Sequence, residues 1–142
     1  MEIRDLRPED CEGLIGLCEE AGLLCRPRGR DRRDRIAREI EGDCSTFLAA
    51  EEKGRMIGAV LGMHDGRKGW INRLAVLPEC RGRGIASALV AEVERKLLEK
   101  GIEIVTCLIE DWNEGSMAFF ERLGYVPHRD IAYYSKRRSP DT

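Results

Sequence analysis

The sequence has 142 residues, 42% of them hydrophobic, which suits one domain that can bury a core without disulfide or metal staples. Its 24 Lys and Arg stand against 26 Asp and Glu, a net charge of −2, so no global field calls for nucleic acid or an acidic membrane as partner. The longest apolar run, Met56 to Met63, falls far short of the roughly 18 residues that a membrane span needs. Met1-Glu2-Ile3-Arg4-Asp5 carries no apolar stretch of the kind that opens a secretory signal. The expectation is a soluble cytoplasmic protein, a single domain over residues 1–142 with a frayed tail at 138–142.

Elements follow in chain order. Glu2 to Leu6 alternates as a short strand, and Pro8-Glu9-Asp10 opens a helix that Gly22 ends, with Leu14, Leu17 and Ala21 as its apolar stripe. Arg26-Pro27-Arg28-Gly29-Arg30-Asp31 reads as a loop, and Arg32 to Ile40 as a second helix. Three strands come next: Thr46 to Glu51, Met56 to Met63 and Trp70 to Leu77. Their short links suit antiparallel neighbours. Ile85, Leu89, Val93 and Leu97 then mark one buried face of a long helix that Gly101 closes. Ile102 to Ile109, apolar on both faces, predicts a central parallel strand. Asn113 caps a further helix with Met117, Phe120 and Leu123 inward, and Tyr125 to Lys136 reads as one or two last strands. The order βααβββαβαβ(β) describes an α/β (α+β) fold, a mixed central sheet of six to seven strands flanked by about four helices.

Six cysteines, Cys11, Cys18, Cys25, Cys44, Cys80 and Cys107, form no C-x-x-C pair and have no histidine at zinc-ligand spacing. They read as small buried hydrophobes, with Cys11 and Cys18 on one helical face. No metal is expected.

The stretch richest in chemistry is Leu74-Ala75-Val76-Leu77-Pro78-Glu79-Cys80-Arg81-Gly82-Arg83-Gly84-Ile85-Ala86-Ser87. A strand ends, the chain turns on two glycines, and a long helix begins. The first amides of any helix lack internal partners, and its dipole is positive there. A helix start ordinarily answers this with Asp or Glu, yet no acid occurs between Gly82 and Ala91, and Arg81 and Arg83 add positive charge. An external anion is expected to fill the place, with Gly82 and Gly84 letting it approach the backbone. A Walker loop is excluded, because G-K-[ST] is missing. A dinucleotide fingerprint is disfavoured, because Pro78 to Arg81 intervene between strand and glycines.

Arg81-x-x-Gly84-x-Ala86 resembles the [Q/R]-x-x-G-x-[G/A] motif of the GNAT N-acetyltransferase superfamily, and it stands between a Leu-Ala-Val-Leu-Pro strand and a long amphipathic helix. Asn113-Glu-Gly-Ser-Met-Ala-Phe-Phe-Glu-Arg-Leu-Gly-Tyr125 is similar to the second signature of that family, and the element order over residues 2–136 fits. The segments 26–31 and 64–76 resemble an uncharacterised bacterial and archaeal subgroup.

The resemblance implies an acyl-CoA-dependent N-acetyltransferase that moves an acetyl group from acetyl-CoA to a primary amine by direct attack on the thioester. It implies the diphosphate of coenzyme A on Arg81, Gly82, Arg83, Gly84, Ile85, Ala86 and Ser87. The pantetheine arm would pair with Leu74, Ala75 and Val76, and Asn113, Phe119 and Phe120 would lie against the distal part of the cofactor. The thioester would sit where strands 70–77 and 102–109 splay apart. The family's tyrosine acid falls on Phe120, so the hydroxyl is missing at that position. Ser116, one helical turn earlier, is the candidate acid, with Tyr133 and Tyr134 as other donors. Glu110, at the far end of the neighbouring strand, is the leading candidate base, ahead of His64. Arg30, Asp31, Arg67, Trp70 and Asn72 are candidate acceptor contacts, and an Arg-lined wall would suit an amine that also carries a carboxylate or phosphate. The acceptor is then a small molecule or a peptide, with no nucleic acid and no membrane, and a homodimer is compatible with the family. Two other readings stand beside this one. A non-catalytic acyl-CoA sensor would account for Phe120. Nucleic-acid binding would use the arginines between Arg26 and Arg38, and steep salt dependence would mark it.

Overall fold

A computed structural model describes residues 1–23 and 32–142. Strand β1 is Glu2–Asp5, and a single 3-10 turn at Pro8–Asp10 leads into helix α1, Cys11–Glu20. Helix α2 is Arg33–Glu41. Strands β2, β3 and β4 are Ser45–Glu52, Arg55–His64 and Gly69–Val76. A second 3-10 turn, Pro78–Cys80, precedes α3, Ile85–Glu99, and β5, Val105–Cys107, precedes α4, Glu114–Arg122. The five strands lie in sequence order in one mixed sheet: β1 to β4 are antiparallel neighbours, and β5 runs parallel to β4.

The expected stripe of α3 is buried, and the sheet is shaped to receive it. A Cβ added to Gly58 would stand 3.2 Å from Ile85 and 3.3 Å from Leu89. On Gly62 it would stand 2.9 Å from Val93, and on Gly69 2.6 Å from Leu97. Three glycines thus form a trough in β3 and β4 along which the stripe of α3 lies. Residues 57–62 of β3 are all buried, so both faces of this strand are covered, by α3 and by α1. Leu48, Val60, Leu89, Val90, Val93 and Leu97 form the centre of the core. At the far end of α3, Ile102 N–H donates to the Leu97 carbonyl and Gly101 N–H to that of Leu98, which closes the helix in a Schellman turn.

Arg4 pins β1 to the start of α1. Its Nε donates to Glu51 at 2.7 Å, and its Nη1 and Nη2 donate to the two oxygens of Asp10 at 2.8 and 3.1 Å. The Arg4 guanidinium, with the Arg7 amide, holds the Asp10 carboxyl below the usual carboxylate range. Both side chains are largely buried, 18% and 14% exposed. A depressed folded-state value stabilises above the unfolded pKa of about 3.9, and that stabilisation fades as pH falls through the folded value. Asp10→Asn is therefore expected to cost about 2 kcal/mol at pH 7. The gap to the wild type should close on acidification below about pH 4, read as urea midpoints across pH. A gap independent of pH would contradict this role for Asp10.

Two expectations need correction. The strand predicted over Ile102 to Ile109 is only three residues long and lies at the sheet edge, with Ile104 and Leu108 exposed. Its pairing stops where β4 bulges: Leu61 opposes Arg73 and Gly62 opposes Ile71, so Asn72 is an extra residue that turns β4 away from its parallel neighbour. Residues 125–136 form no strand, which leaves five strands among the described residues in place of six to seven. Val126, Ile131, Tyr133 and Tyr134 are exposed there, so the segment has the composition of a strand and no sheet edge within this chain against which it is paired.

Candidate active site

The turn after β4 has the expected form. Gly82 and Gly84 have φ of +80° and +78°, the left-handed region that favours glycine, and Gly84 is the N-cap of α3. No side chain caps this helix and no acid lies in its first turn. Among the described residues, the amides of Gly82 to Ser87 meet no protein acceptor. A Cβ added to Gly82 or Gly84 would meet nothing within 4 Å, so the space above the turn is open. These glycines are needed for their backbone angle, and the opening over the amides comes with it. Six amides at the positive end of a 15-residue helix, with open space above them, fit a diphosphate.

The two arginines are placed differently from the expectation. Arg81 Nε donates to the Val76 carbonyl and its Nη2 to the Ala21 carbonyl, both at 3.2 Å. Arg81 therefore ties the end of β4 and the end of α1 to the turn. Arg83 forms a two-pronged pair with Glu52, at 2.6 and 3.4 Å, and the guanidinium lowers the Glu52 carboxyl. Sequence reading missed Glu52, which is 31 residues away and carries no local signal.

β4 presents a free edge beyond Ile71. Leu77 N–H donates to the Ile57 carbonyl at 2.9 Å, so in this antiparallel ladder Ala75 and Arg73 also face β3. Leu74 and Val76 turn their amides and carbonyls to the other side. The β5 ladder ends at Ile71 opposite Cys107, so those groups border a gap between β4 and the chain leaving β5. Cys107 is half-buried at this parting, and burial pushes its thiol up to about 11.

Glu110 is exposed just past β5. Its carboxylate accepts from the Trp112 indole N–H, and its carbonyl from the Asn113 amide. Asn113 Oδ1 accepts from the Ser116 amide at 3.1 Å, so this side chain caps α4 as expected. The Ser116 hydroxyl has no partner among the described residues. Phe120 is buried, edge-on to Phe119 and to Tyr125 with centroids 5.1 Å apart in each pair. The Tyr125 hydroxyl donates to Glu94 at 2.7 Å, and burial with that bond raises its pKa. Its place at the end of the second motif was the only signal for it.

Of the acceptor candidates, Trp70 is half-buried and Asn72 is exposed on the bulge. Arg67 is exposed in the β3–β4 turn, where the Asp65 carboxylate accepts from the amides of residues 67 and 68 at 2.8 Å. Arg67 lies at the opposite end of β4 from the phosphate turn, roughly 25 Å along the strand. Arg30 and Asp31 lie outside the described residues, as does Cys25. His64 Nδ1 accepts from the Gly66 amide at 3.0 Å, at the same distant end of the sheet. Arg32 and Arg38 pair with Asp34, and Arg33 with Glu12, so these arginines lie on a solvated helix face with its own counter-charges. Cys11, Cys18 and Cys80 are buried as expected, whereas Cys44 is exposed. Among the described residues no cluster could hold a metal ion, and no helix is long and apolar enough to cross a membrane.

The family model described as "Acetyltransferase (GNAT) family" matches residues 12–125. Among solved structures, PaiA N-acetyltransferase from Thermoplasma acidophilum in complex with coenzyme A is 24% identical, with a TM-score of 0.78 over 86% of this chain and 87% of that one. Aminoglycoside N-acetyltransferase AAC(6')-Iy in complex with CoA is 22% identical, with a TM-score of 0.77 over 96% and 94%. A ribosomal-protein-alanine N-acetyltransferase from Brucella melitensis is 19% identical, with a TM-score of 0.71 over 96% and 99%. At these identities the likeness is one of fold.

Proposed function

The chain belongs to the acetyltransferase (GNAT) family, and on that premise we propose that it is an acetyl-CoA-dependent N-acetyltransferase acting on a primary amine. The observation that carries this reading is the uncapped start of α3, whose amides from Gly82 to Ser87 are open to an anion. The coenzyme A complexes of two proteins of the same fold support it. Acetyl-CoA, when bound, supplies an acyl group already activated as a thioester.

The chain's own groups divide the remaining work. The turn amides and Arg83 hold the diphosphate, with Arg83 exchanging Glu52 for phosphate oxygen. Leu74, whose backbone groups face the gap, pairs with an amide of the pantetheine arm, while the Val76 carbonyl accepts from Arg81 and its N–H is left to face the thioester. A Val76 N–H aimed at the developing negative charge would be worth roughly 3–4 kcal/mol. Glu110, at the mouth of the gap, takes a proton from the acceptor's ammonium, and the neutral amine then attacks the thioester carbon. Phe120 is buried and brings no proton, so the Ser116 hydroxyl donates a hydrogen bond to the leaving thiolate, which takes its proton from water. A free thiol titrates near ~8.5, which makes the demand on that donor small. Trp70 and Asn72 flank the acceptor side of the gap. Arg67 reaches only an acceptor that extends along β4, so a carboxylate or phosphate on the amine would contact it at distance from the reacting nitrogen.

Titration calorimetry with acetyl-CoA and thiol release over a panel of amines test the proposal together. Binding with release that depends on the acceptor is expected. Binding with no release above background would mark a sensor that kept the phosphate site and lost turnover. No binding would overturn both readings. Glu110→Gln is expected to lower kcat/KM by about 100-fold with acetyl-CoA affinity unchanged. Full activity in that variant would remove Glu110 from the role of base.

A further inference from the structure

A carboxylate stands beside the phosphate turn and holds the cation that the turn carries. Arg83 lies between the two left-handed glycines, Gly82 and Gly84, so its side chain leaves the backbone among the amides that are open to an anion. Its two terminal nitrogens are nevertheless both engaged by Glu52. Nη2 donates to one carboxylate oxygen at 2.6 Å and Nη1 to the other at 3.4 Å. A two-pronged pair of this kind uses the same fork of donors with which a guanidinium grips a phosphate. A diphosphate that takes both terminal nitrogens must therefore displace Glu52.

Glu52 is poorly placed to follow Arg83 onto a ligand. It is the last residue of β2 and lies opposite Arg55 across a two-residue hairpin loop. The loop residues, Lys53 and Gly54, have φ of +52° and +76°, the twisted turn that joins strands tightly. Arg55 is itself paired with Glu79 at 3.0 Å. Glu52 is thus fixed on the sheet, whereas Arg83 has a long side chain that is 46% exposed and able to turn. Arg81 stands in contrast. Its partners are the carbonyls of Val76 and Ala21, which carry no net charge, so it meets no such rival for an anion.

We propose that Glu52 competes with the diphosphate of coenzyme A for Arg83 and thereby lowers the affinity of the site for the cofactor. The inference rests on the reading of the chain as an acetyl-CoA-dependent enzyme. Arg83 must leave one anion to reach the other, and the freed Glu52 carboxylate then stands beside the phosphates and repels them. The coenzyme A left after acetyl transfer carries the same diphosphate, so the return of Arg83 to Glu52 favours its departure as well. Glu52 touches no reacting atom. It is a positioning residue that acts through Arg83.

Titration calorimetry with coenzyme A at low salt, on the wild type, Glu52→Gln, Arg83→Gln and the double variant, is the test. Glu52→Gln is expected to bind about 5-fold more tightly, the size of a surface ion pair. Arg83→Gln should bind more weakly than the wild type. In that background Glu52→Gln should change affinity by less than about 2-fold, because both effects pass through one guanidinium. Pantetheine, which lacks phosphate, should bind the wild type and Glu52→Gln alike. Equal or weaker affinity for coenzyme A in Glu52→Gln would overturn the proposal while leaving the cofactor in place. The same gain with and without Arg83 would overturn it too, since Glu52 would then act without that arginine. No binding by the wild type and Glu52→Gln alike would instead remove the cofactor, and this proposal with it.

Discussion

Ser87→Asp is expected to make the protein more heat-stable and to remove most of its affinity for coenzyme A. Ser87 is the third residue of α3, whose first turn contains no acid. A carboxylate there meets the positive end of the helix dipole and accepts from the free amides, a gain of about 0.3–1 kcal/mol. The same carboxylate would occupy the place of a diphosphate and repel it. A loss of about 100-fold in affinity, roughly 2.7 kcal/mol, is the expected size. Stability and binding thus move in opposite directions, which general damage to the fold cannot produce. Ser87→Asn, with the same shape and no charge, should retain most of the affinity. Thermal melts and calorimetry on the three proteins read both quantities. Equal affinity for coenzyme A in wild type and Ser87→Asp would contradict the placement of the diphosphate.

Gly62→Val should carry the largest cost in stability. The added Cβ would lie 2.9 Å from Val93 Cγ1 and 3.1 Å from the Thr46 carbonyl oxygen. Val93 is β-branched and fully buried in the helix that packs there, and the carbonyl belongs to the neighbouring strand. Neither can swing aside. Overpacking of this kind costs about 1–3 kcal/mol, and the two further methyl groups should take it to the top of that range. A fall of about 10 °C in Tm is expected. At Gly69 the closest atom is the end of the flexible Leu97 side chain, so Gly69→Ala should cost less despite a shorter distance of 2.6 Å. A milder effect at Gly62 than at Gly69 would show that α3 is held less rigidly than this geometry implies.

What was readable in the sequence was whatever local pattern sets. The stripe of α3, the glycine turn, the missing acids and the Asn113 cap all lie within a few residues of the feature they determine, and all are found in place. Pairing across long separations carried no such signal. Nothing near Arg83 points to Glu52, and nothing near Arg81 points to the Ala21 carbonyl. The Asn72 bulge depends on how β4 meets two different neighbours, one antiparallel and one parallel. The same limit explains the strand count. Residues 102–109 and 125–136 have strand composition, but a strand exists only where a partner edge is presented. β4 offers that edge to three residues of the first segment, and among the described residues the second is paired with no strand, although the outer edge of β5 is open. The turn at Gly82 and Gly84 was legible as glycine punctuation, although it is their positive φ that requires glycine, whereas the steric role of Gly58, Gly62 and Gly69 depends on where a helix comes to rest.

The amide resonances of the labelled protein, followed while coenzyme A is added, test the central claim most directly. Downfield shifts that saturate together for Gly82, Arg83, Gly84, Ile85, Ala86 and Ser87 are predicted, because charged oxygen would then accept from amides that have no acceptor among the described residues. Pantetheine, which lacks the diphosphate, should leave these six resonances in place. Shifts confined to other residues, or the same response to pantetheine, would contradict a diphosphate at the start of α3.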